Sequence, residues 1–264
     1  MLLAIDAGNT NIVFAFLKDG NIDAQFRAST KDARTSDEYY VWLTQLLTLH
    51  DLKASEITGA VIATVVPQAL FNLRVLCRKF FKVEPLVVGE PGCQLGIGVK
   101  TLRPEAVGAD RLADAVAGHK LYGGPLIILD FGTATTFNVV SENGDYEGGV
   151  IAPGVNLSLE ALHLAAAKLP SIAIERPAKV IGRDTVPAMQ SGVFWGYVSM
   201  IEGMVARIRS EYGKPMKVVA TGGLANLFRN TVGIFDVTDP DITIRGLAEI
   251  YARNPQAHGA KPLK

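Results

Sequence analysis

At 264 residues, with 48% hydrophobic and 20% charged side chains, the chain has room for two domains, each with a real core. Lys plus Arg equals Asp plus Glu at 26 each, so no basic surplus points to nucleic acid or an anionic membrane. Cys77 and Cys93 match no paired metal or redox spacing, and no apolar run approaches the ~20 residues of a bilayer span.

The N-terminus enters a strand without the basic region and apolar core of a signal peptide, so a cytoplasmic protein with reduced thiols is expected. Leu2-Leu3-Ala4-Ile5 runs into Asp6, passes through Ala7-Gly8-Asn9-Thr10-Asn11 and resumes as Ile12-Val13-Phe14. That pattern predicts a β-hairpin whose glycine turn aims its amides at a phosphate. A third strand follows over 21–27. Thr35-Ser36-Asp37-Glu38 reads as a capping box, opening a helix with Tyr39, Trp42, Leu43, Leu46, Leu47 and Leu49 on its apolar face. Residues 60–66 form a buried strand, Pro67 starts a helix to Phe80, and 85–89 is another strand.

The glycine-rich stretch 89–100 reads as a mobile connection. Within it Gly96-Ile97-Gly98 lacks the third glycine of a dinucleotide fingerprint, and no P-loop motif occurs anywhere in the chain. A helix is expected over 112–121, preceded by Gly108-Ala109-Asp110-Arg111. Asp110 stays open to two readings, a helix cap or a catalytic carboxylate beside Arg111. On local sequence the cap stands first.

The first pattern then returns. Leu126-Ile127-Ile128-Leu129-Asp130-Phe131-Gly132-Thr133 is again an apolar run, an aspartate and a glycine turn, and the offset 130 − 6 = 124 carries Gly8 onto Gly132 and Gly20 onto Gly144 without a gap. A third strand through Gly148-Gly149, a helix over 156–168, a loop over 172–181 and a long helix over 188–212, started by Thr185-Val186-Pro187, follow. The broad apolar side of the long helix suggests burial against a second subunit, its methionines serving as filler. Residues 217–223 form a strand ending in Gly222-Gly223 and echo Val61-Ile62-Ala63-Thr64. A helix over 247–251 and a frayed tail over 254–264 close the chain. His50, His119, His163 and His258 show no paired ligand spacing.

At Asp6-Ala7-Gly8-Asn9-Thr10, Gly108-Ala109-Asp110-Arg111, Asp130-Phe131-Gly132-Thr133-Ala134, Gly148-Gly149 with Pro153-Gly154, and Thr221-Gly222-Gly223, the chain resembles the type III pantothenate kinases. The motifs follow in the right order from Met1 to about Tyr251. The resemblance implies an α/β fold of the acetate and sugar kinase, heat-shock chaperone and actin superfamily. That fold has two duplicated ribonuclease-H-like (actin-like ATPase) domains, 1–120 and 121–264, the last helix able to pack back on the first, with an interdomain active-site cleft. It also implies ATP-dependent phosphorylation of pantothenate to 4′-phosphopantothenate, the first step of coenzyme A biosynthesis. The expected enzyme is a homodimer using Mg²⁺ and a monovalent cation, K⁺ or NH₄⁺, with no nucleic-acid or membrane partner.

Carried over by position, the resemblance assigns Asp6, Ala7, Gly8, Asn9, Thr10, Asn11, Ile12, Val13 and Thr133 to ATP, with Asp6 also toward Mg²⁺ through water. Asp110 becomes the general base; Gly108, Ala109, Asp110, Arg111 and Thr185 contact pantothenate; Asp130 holds the monovalent cation. At Lys100-Thr101-Leu102-Arg103 the chain departs from the family pattern, which places a tyrosine there. Charge supports this division of labour. Carboxylates facing a polyphosphate at 4 Å would repel it by about 4 kcal/mol per charge pair at an effective dielectric of 20, so cations belong beside Asp6 and Asp130. Asp110, outside the phosphate turns, is then the better base. Two other readings are a kinase of another small acceptor on the same fold and a non-catalytic nucleotide-binding regulator. The intact Asp6, Asp110 and Asp130 favour catalysis.

Overall fold

The computed structural model describes residues 1–31, 34–166 and 169–257. The chain forms two compact units, Met1–Lys120 together with the segment from Ile242, and Leu121–Asp241.

In the first unit β1 (Leu2–Ala7), β2 (Asn11–Lys18) and β3 (Asn21–Ser29) form an antiparallel meander, and β4 (Gly59–Thr64) and β5 (Pro85–Val87) add in parallel, giving the order β3-β2-β1-β4-β5. Strand β1 is central and covered on both faces, which is why its sequence is a continuous apolar run rather than an alternation. Leu3 and Ile5, with Phe14 and Phe16, meet Leu43 and Leu47 of α1 (Ser36–Leu49) and Leu73 of α2 (Pro67–Val75). Ala4, Val61 and Ala63 on the opposite face meet Ala109, Ala113 and Val116 of α3 (Ala109–Tyr122). Small residues on both sides let α3 lie close to the sheet.

The capping box is present as predicted: Glu38 N donates to Thr35 Oγ1 (3.4 Å), and Thr35 N donates to Glu38 Oε2 (2.7 Å). Thr35→Ala is therefore expected to cost about 1 kcal/mol of stability, read as a lower denaturant midpoint at unchanged slope. Three boundaries differ from expectation for local reasons. Strand β4 stops at Thr64, because Thr64 Oγ1 accepts the Val66 amide (3.0 Å) and bends the chain ahead of Pro67. Helix α2 passes at Leu76 into a wider π-helical segment that ends at Lys82, in the left-handed region at φ 59°. Helix α3 starts at Ala109, since Leu112 N already bonds Gly108 O (3.2 Å).

The second unit repeats the plan. β6 (Leu126–Phe131), β7 (Ala134–Val140) and β8 (Tyr146–Pro153) form the meander; α4 (Val155–Ala165) and α5 (Thr185–Tyr212) follow; β9 (Lys217–Gly222), α6 (Ala225–Arg229) and β10 (Val237–Thr238) complete a sheet ordered β10-β9-β6-β7-β8. Read from β8, this is the first sheet's order. The sequence offset of 124 superposes β1 on β6, but the hairpins differ by one residue. Asp6 pairs with Val13 across a three-residue turn, whereas Asp130 pairs with Thr136 across Gly132-Thr133 alone. The echo between the fourth strands is also displaced by one, Asp6 lying beside Ala63 and Asp130 beside Thr221. Gapless sequence repetition thus hides a change of register.

Helix α5 begins at Thr185, the segment expected to start it, because Asp184 accepts the Thr185 amide (2.7 Å) as N-cap and Pro187 fits in the first turn. Its broad apolar side serves its own core: Phe194, Val198 and Ile201 are buried, and Trp195, Tyr197, Met200 and Met204 pack against the same cluster with Phe131 and Phe228. The helix expected over 156–168 is α4, and Lys168 lies outside the described residues. Elements α6 and β10, of five and two residues, are too short to show a period and went unpredicted.

The last helix, α7 (Ile242–Ala252), begins five residues before the expected 247 and packs Ile244, Leu247 and Ile250 with α3 on the first sheet. Residues 254–257 are not frayed: Asn254 is fully buried and Pro255–Ala257 form a helical turn. Residues 258–264, with His258, lie outside the described chain. Among the described residues no helix is long and apolar enough to cross a membrane.

Candidate active site

Strand alternation decides which way each aspartate points. Asp6 shares the β1 face of Ala4, the face covered by α3, and its cross-strand neighbours Val13 and Ala63 belong to that same cluster. It sits at the last turn of the strand, beside Gly8, whose amide closes the hairpin onto Asn11 O (3.0 Å). Thr30 fastens this turn from β3's end, its Oγ1 donating to Gly8 O (2.8 Å) and its amide to Thr10 O (3.0 Å). Thr30 belongs to no motif; the pairing of Asn11 with Ser29, set by the sheet, puts it against the turn. Asn9, Thr10 and Asn11 are exposed at the tip. The Ala7 and Ile12 side chains are buried in the first core and Val13 packs on the α3 side, so at a ligand these three present backbone rather than side chain.

Asp110 comes to the same end of the same sheet. Its Oδ1 accepts the Arg111 amide (2.8 Å), so the carboxylate serves a first-turn amide of α3 that has no acceptor within the helix, from a position inside the helix rather than before it. The capping and catalytic readings are therefore compatible. One oxygen fixed by the backbone sets the direction of the other. A β-carbon on Gly108 would fall on that Oδ1 and lie 3.4 Å from Val65 Cγ1, so only glycine leaves the carboxylate its place. Val65 in turn donates its amide to Ala7 O (3.1 Å). Asp110, Val65 and the Asp6 turn thus form one contiguous surface at the C-terminal ends of β1 and β4, the edge where open α/β sheets bind ligands.

Asp130 occupies the matching end of the second sheet. It faces away from Ile127, Leu129 and Phe131, which point into the α5 core. Gly222, at φ 88°, passes so near that an added β-carbon would lie 2.6 Å from Phe131 N and closer to Asp130 Oδ1. Gly132 and Thr133 are exposed at the turn, and Gly154 N donates to Thr133 O (3.1 Å). This is a set of hard oxygens with backbone close around it, suited to K⁺ or Mg²⁺ rather than to a soft metal. No group of three or more His, Cys, Asp or Glu that could hold a metal occurs among the described residues. A divalent ion here would draw most of its ligands from phosphate and water, the usual habit of Mg²⁺.

Thr185 lies elsewhere in the second unit. It opens α5 and lines an open groove of about 710 Å³ between α4 and α5, with Ser158, Leu162, Met189 and Tyr197. Ser158 Oγ and Tyr197 Oη are 2.7 Å apart, and Tyr197 also donates to Pro153 O (2.9 Å). Of the predicted site residues, Asp6–Val13 and Gly108–Arg111 gather at one sheet end of the first unit. Asp130 and Thr133 gather at one sheet end of the second.

Against known proteins, the family model for type III pantothenate kinase matches residues 2–207. The type III pantothenate kinase of Paramagnetospirillum magneticum is 60% identical over 254 residues, covering 96% of this chain and 98% of that protein. That of Rhodospirillum rubrum is 57% identical, covering 96% and 99%. Among solved structures, component A of (R)-2-hydroxyglutaryl-CoA dehydratase from Acidaminococcus fermentans has a TM-score of 0.56 at 16% identity, covering 97% of this chain and 98% of that one. The activator of 2-hydroxyisocaproyl-CoA dehydratase from Clostridium difficile, solved with bound ADPNP, has a TM-score of 0.54 at 15% identity, covering 100% and 99%. At these identities the two structures bear on the fold alone, and it is the actin-like duplication of ribonuclease-H-like domains.

Proposed function

This chain belongs to the type III pantothenate kinase family, and from that premise we propose how its residues share out the work. The protein phosphorylates pantothenate with ATP, yielding 4′-phosphopantothenate, the first step of coenzyme A biosynthesis.

The reading of the residues rests on one observation: Asp110 and the Asp6 turn meet at one sheet end through Val65. Phosphoryl transfer asks for little covalent help and much positioning. The exposed turn amides of Asn9 and Thr10 hold phosphate oxygens, while the Gly8 amide closes the hairpin, and Thr10 and Thr133 add hydroxyl contacts. Asp110 accepts the proton of the pantothenate hydroxyl as that oxygen attacks the γ-phosphorus and the bond to the β,γ-bridging oxygen breaks, releasing ADP, and Arg111 beside it attracts the substrate's carboxylate. Mg²⁺, when bound, would be held by ATP phosphates and by Asp6 through water, and supplies charge neutralisation. A monovalent cation, K⁺ or NH₄⁺, would be held at Asp130. The glycine-lined carboxylate there, with no bulky side chain able to fit beside it, supports that role. Thr185 is assigned to pantothenate from the family pattern. Dependence on ATP as the donor supports a cytoplasmic location. A homodimer is supported by Leu157, Leu162 and Leu164, exposed along α4.

The test is turnover by purified protein with ATP, Mg²⁺ and K⁺ or NH₄⁺, offering pantothenate, glucose or acetate. Phosphate is expected on pantothenate alone, with a fall in rate when the monovalent cation is replaced by a large organic one. Transfer only to a control acceptor, or to none, would sink the reading.

A further inference from the structure

The connection from β5 to α3, residues 88–108, contains a single helical turn at Pro104–Ala106. Loops beyond about 12–15 residues without structure of their own are uncommon in compact domains and usually functional. In this one the stretch 89–100 was expected to be mobile, but the end of α7 grips it at Gln94 and Leu95. Asn254 is fully buried, and its side-chain amide binds both polar groups of one backbone residue: Oδ1 accepts Gln94 N and Nδ2 donates to Gln94 O, each at 2.8 Å. The remaining capacity goes to Ile250 O (2.7 Å) and Gln256 Nε2 (3.1 Å). The side chain does what a neighbouring strand would do. Arg253 Nη1 donates to Leu95 O (2.6 Å), and its Nε to Glu249 Oε1 (2.9 Å).

The grip continues into the helix that carries Asp110. Glu249 also pairs with Lys120 on α3. Burial works against its charge, but the hydrogen bonds from Lys120 and Arg253 prevail and hold its carboxyl below the usual glutamate range. Further along α7, Thr243 Oγ1 donates to the buried Asp114 of α3 (2.7 Å). Helix α7 therefore holds the segment 93–120 at both ends, with Asp110 between them. The connection also carries Thr101, whose buried Oγ1 has no hydrogen-bond partner among the described residues.

We propose that Arg253 and Asn254 are positioning residues for the acceptor side of the reaction, fixing the 92–103 segment and, through it, the approach to Asp110. The proposal rests on the reading of Asp110 as general base. Neither residue touches substrate; both act through the backbone of Gln94 and Leu95.

The experiment compares Arg253→Ala, Arg253→Lys and Asn254→Ala in the full chain, with amide hydrogen exchange beside steady-state kinetics. In Arg253→Ala, amides of 92–103 should exchange at least about tenfold faster while those of β1 and β4 hold. The kcat/KM for pantothenate should fall by about 10–100-fold, with KM for ATP nearly unchanged. Arg253→Lys, which keeps a donor for Leu95 O, should recover part of the loss. Should the buried Asn254→Ala fail to fold, the partly exposed Arg253 carries the test. Unchanged exchange in 92–103 while Asp110→Asn is inactive would overturn the clasp alone. Uniformly faster exchange with equal rises in both KM values would reduce it to general stability. Normal turnover by Asp110→Asn would remove the reading beneath it, and the positioning role with it.

Discussion

Asp110→Asn is expected to lower turnover by about 10²–10⁴-fold, the range of a positioned general base, with ATP affinity retained. Asparagine keeps an oxygen that can accept the Arg111 amide, so the first turn of α3 and the Gly108 approach survive. What goes is the capacity to take a proton. The turn at Gly8–Asn11, which we propose faces ATP, is fastened by Thr30, independently of Asp110, which is why nucleotide binding should persist. Pre-steady-state kinetics and an equilibrium titration with a non-hydrolysable nucleotide separate the two effects. A variant that turns over normally, or one that loses nucleotide binding in step with activity, would defeat the assignment.

Gly246→Ala should destabilise the protein, against the trend for its position. In a helix interior alanine is favoured over glycine by about 1 kcal/mol. Here the added β-carbon would lie 2.5 Å from the Ala113 carbonyl carbon and closer still to its oxygen, and helix backbone cannot yield as a flexible side chain would. Overpacking of this kind costs about 1–3 kcal/mol, enough to reverse the sign. Because α7 also holds α3 through Thr243 and Asp114, the displacement should reach Asp110 and lower kcat as well. Gly196 on α5 is the control: nothing lies within 4 Å of its β-carbon position, so Gly196→Ala should gain up to about 1 kcal/mol. Thermal denaturation of the pair decides it. Two stabilised variants would mean that α7 and α3 are not in the close contact described.

The duplication was legible because it is written in local patterns. An apolar run, an aspartate and a glycine turn recur at a fixed offset, and each is a strand and hairpin signal on its own. The capping box at Thr35 and Glu38, the proline start of α2 and the apolar face of α5 were legible for the same reason: each depends on residues within one or two turns. Register was not. The second hairpin closes in two residues rather than three, a difference set by strand pairing that a gapless sequence repeat does not betray.

The chain's own order of residues determined the chemistry at the turns, with Asp6, Asp110 and Asp130 each marked by the small residues around it. Tertiary structure alone decided that Asp110 stands beside the Asp6 turn, since that depends on alanines of α3 meeting Ala4 and Ala63 across more than forty intervening residues. It also decided that Asn254, in what looked like a tail, is buried, because its partners at Gln94 are backbone atoms 160 positions away. A side chain that pairs with main chain meets the same N–H and C=O whatever residue bears them, so no pattern of side chains could have announced the match.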